Sequence, residues 1–135
     1  MLQLAEVRDF FKTLENKADN YYIGRLENKK DKSIGFYNLR SDDMDIAIGG
    51  VENTKTKTKN ISILIHWNKN YKETEQFSID LYKEIQNLGV VDIGNYTASY
   101  FKLLTNEPID VDSDKNGVYE RVIEITIYYS EKGDK

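Results

Sequence analysis

Residues 60–67 read NISILIHW, and this octet decides the fold. Ile61, Ile63, Ile65 and Trp67 fall on one side of a period-two repeat, with Ser62, Leu64 and His66 on the other. β-Branched residues at that spacing specify a strand with one face against a core. A second segment, Val118–Tyr129, repeats the pattern, with Tyr119, Arg121, Ile123, Ile125, Ile127 and Tyr129 on one face. Between the two, Asn70 with Glu73 three residues on resembles a capping box. Phe77, Leu81, Ile85 and Leu88 then follow at helical spacing, with Tyr82 widening the stripe, which predicts a helix over about 71–88. Gly89 is placed to end it in a left-handed turn.

Upstream, Leu4, Val7, Phe11 and Leu14, with Phe10 alongside, predict an amphipathic helix that fades near Lys17, with Gln3 a weak cap. Tyr21–Leu26 and Ser33–Leu39 read as short strands joined in a hairpin through the polar run ENKKDK, 27–32. Ser41-Asp42-Asp43 breaks the chain before a third strand, Met44–Ile48, which Gly49-Gly50 ends. VENTKTKTKN, residues 51–60, has almost no apolar content and reads as a loop, expected to be mobile in the free subunit. Val90–Ile93 and Tyr96–Leu104 flank Gly94-Asn95, the signature of a type II′ hairpin. Thr105–Asn116, with the single proline Pro108, reads as a long loop, and EKGDK, 131–135, as a frayed tail. The order implies an α+β fold, one domain over 1–130: a largely antiparallel or mixed sheet with two helices packed on it.

Composition narrows the chemistry. The chain has 135 residues, a formal net charge of −4, one His and no Cys. Disulfides, thiolate zinc sites, Cys nucleophiles and two-His mechanisms are excluded. An acidic chain lacks the basic footprint of a duplex DNA binder. No apolar run is long enough for a membrane span, and Glu6, Arg8 and Asp9 interrupt any signal-peptide core, so the chain reads as intracellular in origin. The 15 Lys, 12 Asn, 14 Ile and 10 Tyr against one Pro and one Trp point to A/T-rich codons and a low-G+C genome.

Motifs for chemistry are weak. Asp112-Ser-Asp114-Lys-Asn116-Gly117 matches the first half of a calcium loop, but Ile123 stands where the bidentate Glu belongs, so it reads as a turn. Asp42, Asp43 and Asp45 cluster in a polar, solvated setting. His66 has no Ser or Cys partner at motif spacing and reads as a partly buried ring at the sheet margin. Gly49-Gly50 lacks the Lys-Ser/Thr of a phosphate loop. Lys55, Lys57 and Lys59 share a face if extended, and either line a solvated loop or meet an acidic partner surface.

Four blocks add more: RDFFKTLENKADNYYIGRLENKKDKSIGFYN (8–38), GGVENT (49–54), ILIHWNKNYKETE (63–75) and GVYERVIEITIYY (117–129). In order and spacing, over about 1–129, they resemble the minor capsid or tail terminator family of long-tailed phages of Gram-positive bacteria. The resemblance implies a small α+β subunit of a hexameric ring in the virion, assembled in the host cytoplasm. The ring would dock on the last tail-tube layer, stop polymerisation and meet head-completion proteins on its other face, with DNA passing through the lumen. It implies no enzymatic activity, no cofactor or metal and no membrane. A ring needs two different patches per subunit. The exposed candidates are 40–44, 51–59 and 105–116, with Arg40, Asp42, Asp43, Lys55, Lys57 and Lys59 as assembly contacts. Another connector or tube role is the alternative. From a different class, a metal-dependent hydrolase would use Asp110, Asp112 and Asp114, and metal titration separates it from the others.

Overall fold

A computed structural model describes residues 1–25, 30–39 and 56–132. In chain order these form α1 (Leu4–Phe11), β1 (Asn20–Ile23), β2 (Ser33–Asn38), β3 (Lys57–His66), α2 (Tyr71–Gln86), β4 (Val91–Ile93), β5 (Tyr96–Leu103), β6 (Ile109–Ser113) and β7 (Tyr119–Glu131). The expected strand Met44–Ile48, with Gly49-Gly50, and the last tail residues 133–135 lie outside the described residues.

The two segments with the cleanest alternation form the centre of the sheet. β3 and β7 pair antiparallel from Lys57↔Tyr129 to His66↔Glu120. The sheet runs β1-β2-β3-β7-β5-β4, and β6 continues beside β7 beyond the end of β5. Ile61, Ile63, Ile65, Ile123, Ile125 and Ile127 are fully buried, and α1 and α2 cover their face. α1 crosses the sheet. Phe11 packs on Phe36 of β2 and Phe10 stacks on Phe101 of β5. α2 lies over β7 and β5, with Leu81 and Ile85 buried and Phe77 stacked on Trp67 at 3.7 Å. Asn70 caps α2 by accepting the Glu73 amide at 3.1 Å.

The structure corrects several expectations. Tyr21–Leu26 and Ser33–Leu39 are not a hairpin, because β1 and β2 are parallel and the sheet is mixed. A parallel pair requires the chain to cross back between its two strands. β1 is about 13 Å long at 3.3 Å per residue, and the residues from Gly24 to Lys32 can span about 30 Å, enough to carry the chain back. Gly24, at φ +67°, turns the chain out of the strand. α1 ends at Phe11 rather than near Lys17. The Thr13 and Leu14 amides bond three residues back, to Phe10 and Phe11, tightening the last turn before the chain leaves. The segment 51–60 gives its last residues, from Lys57, to β3. The region 105–116 contains strand β6. Gly89 is not in the left-handed region; the chain leaves α2 through Asn87, whose amide reaches three carbonyls of the last turn. His66 is fully buried rather than marginal. The Gly94-Asn95 hairpin is as read: Gly94 takes φ +57° and Asn95 stays at negative φ, the pattern of a II′ turn.

Candidate assembly surfaces

Of the six residues singled out from sequence, Arg40, Asp42, Asp43 and Lys55 lie outside the described residues. Lys57 and Lys59 do share a face, and it is the helix-covered one, continuing the row of Ile61, Ile63 and Ile65. Lys57 stands opposite Tyr129 and Lys59 opposite Ile127. Burial pushes the Lys59 ammonium below its ordinary range, because a half-dry site penalises the charged form. Among the described residues no side-chain partner offsets this. Lys59 is therefore a cation that gains from an incoming anion.

Two polar clusters fix the β6–β7 end. Arg121, only 5% exposed, donates to the Tyr71 hydroxyl at 2.7 Å and to Glu75 at 3.3 Å, and its guanidinium lies over the Tyr71 ring. Tyr71 in turn donates to Asp110 at 2.8 Å. The Asp112 amide and then the Tyr71 hydroxyl hold the Asp110 carboxyl below the usual range, and the same bond raises Tyr71. His66 pairs with Glu120 at 2.8 Å and lies 3.9 Å from Asp114. Asp114 accepts the amides of Asn116 and Val118, so the half calcium motif folds as a turn about its own carboxylate. Asp110, Asp112 and Asp114 thus do not converge on one point: Asp110 serves Tyr71 and Arg121, and Asp114 serves its turn. Sequence reading missed Arg121 as a hub, since its α2 partners, Glu75 and Tyr71, lie 46 and 50 residues away.

Among the described residues, some exposed apolar side chains lie by the outer strands and on the sheet face opposite the helices. Ile23 at the end of β1 is 41% exposed, Val90 before β4 is 69% exposed, and Tyr100 on β5 is 58% exposed beside Tyr128. Among the described residues no helix is long and apolar enough to cross a membrane.

The family model described as bacteriophage tail terminator protein matches residues 1–131. No curated protein matches the chain.

Proposed function

The chain belongs to the bacteriophage tail terminator family, and from that membership we propose that it caps the tail tube as a ring, ends its polymerisation and presents its other face to the head-completion proteins. The observation that carries this is the match over 1–131 of a chain of 135 residues. The subunit is a phage tail structural protein, and its role in the ring is assembly without catalysis or cofactor. Its net charge of −4 suits a channel that DNA must traverse without being held. Hexameric closure and a place in the neck of the virion complete the reading.

Micrographs of particles lacking this protein test it. Overlong tails of variable length without heads are expected. Empty heads beside normal tails would move the protein to head completion.

The lysine row supplies a contact with an acidic surface of the tube or of a neighbouring subunit. Replacing Lys55, Lys57 and Lys59 together by Ser should leave the melting temperature nearly unchanged, because an exposed charge such as Lys57 contributes little to folding and burial already disfavours the charged form of Lys59. Tail termination in a defective phage should not be rescued by that variant. Full rescue would make the row a solvated spacer.

A further inference from the structure

The two strands that end the path of the sheet, β1 and β4, have no strand on their outer sides among the described residues. Proteins protect open edges with charges, prolines or bulges. β1 reads NYYI, with no charge and no proline, and β4 reads VDI, with no proline and one charge, Asp92. The alternation of bonds shows which backbone groups are spare. The Asn20 and Gly24 amides donate to Lys32 and Phe36, so in a parallel ladder the even residues face β2. The N–H and C=O of Tyr21 and Ile23 point off the sheet. At the other edge, a two-residue turn makes Ile93↔Tyr96 a bonded pair. Val91↔Ala98 is then bonded too, leaving the groups of Val90 and Asp92 outward. Each edge offers two residues at a spacing of two.

Strand direction fixes how these edges can meet. β1 and β2 are parallel, and every later step from β2 through β3, β7 and β5 to β4 is antiparallel. β1 and β4 therefore run the same way. A rotation about an axis along the strands keeps that direction, so β4 of one copy meets β1 of the next in parallel. This contact is heterologous, the kind that closes rings. The side chains agree. Exposed Ile23 and half-buried Val91 lie on the same, helix-covered face. Exposed Arg25 follows β1, while Asp92 in β4 accepts from the Thr97 hydroxyl at 3.2 Å and lies 3.8 Å from Lys132, yet stays 63% exposed.

We infer that neighbouring copies of this chain join by parallel pairing of β4 with β1, so that the ring is one continuous sheet. The inference rests on the ring proposed above and specifies its joint. Ile23→Pro removes an outward donor and no bond to β2, so the variant should keep its fold and melting temperature but lose the ring in native mass spectrometry and negative-stain images. The chain has no Cys, which makes cross-linking clean. Ile23→Cys mixed with Val91→Cys should give disulfide-linked dimers on oxidation, neither alone should, and the double variant should give a ladder ending at the closed ring. Should Ile23→Pro fail to fold, the cross-links decide. A ring that persists in a folded Ile23→Pro variant, or one without cross-links, overturns the joint and leaves the ring reading intact. A wild-type chain that forms no ring, alone or on purified tail tubes, overturns the ring reading and the joint with it.

Discussion

Glu84 is the side chain that ties α2 to the segment following α1. Its carboxylate accepts the amides of Glu15 and Asn16 and the Asn16 side chain, at 2.7, 3.0 and 2.7 Å. Burial alone would raise its pKa, but the three donors outweigh burial and hold it below the ordinary value. A depressed carboxyl stabilises the fold above its unfolded pKa of about 4.3. That contribution is lost as pH falls through the lower folded value. Glu84→Ala should destabilise by about 1–2 kcal/mol at neutral pH, reduced from the full worth of charged bonds by solvent. The variant should also flatten the acid limb of the stability curve, read by urea melts from pH 3 to 7. A slope equal to that of wild type would show that other carboxylates carry the acid response. No spacing in the sequence announces this tie, because its partners are 68 and 69 residues apart. The buried isoleucines, by contrast, were legible from period alone.

α2 was readable almost to the residue because cap and stripe agree. Asn70 caps it, and Leu81 and Ile85 are buried where the stripe puts them. Phe77→Asp should abolish soluble expression, since it places a charge against Trp67. Lys83→Glu on the exposed face should leave folding intact. Like behaviour of both in a solubility and circular dichroism assay would mean that the stripe is not what docks the helix. The elements that escaped sequence reading are held by pairing rather than burial. β6 has no fully buried residue, and its alternation is Ile109 and Val111 among aspartates. What marks it as a strand is the β7 edge beside it, which is distant in sequence. β1 and β2 were visible as strands, but nothing in a polar linker tells a turn from a return path.

At the scale of the whole molecule, the sheet is organised about β7, with β3 along one side and β5 and β6 along the other. Ile125 sits at its middle, fully buried and opposite both Ile61 and Leu103. Ile125→Ala should destabilise by about 2–5 kcal/mol, measured by denaturant titration, and a change below about 0.5 kcal/mol would show that the core closes around the gap. The same arrangement has a consequence in time. The central strand follows the other described strands in the chain, and its partners on β3 are made 54 to 72 residues earlier. Until residues 119–131 emerge from the ribosome, β3 and β5 have no common neighbour, so the nascent chain holds two separate pieces, β1-β2-β3 and β4-β5, instead of one sheet. Such non-local closure is slow, on the order of milliseconds to seconds, and it is also a checkpoint. An incomplete chain never builds the platform that sets its two outer strands apart. Aborted translation products should therefore stay out of the assembly pool instead of poisoning it.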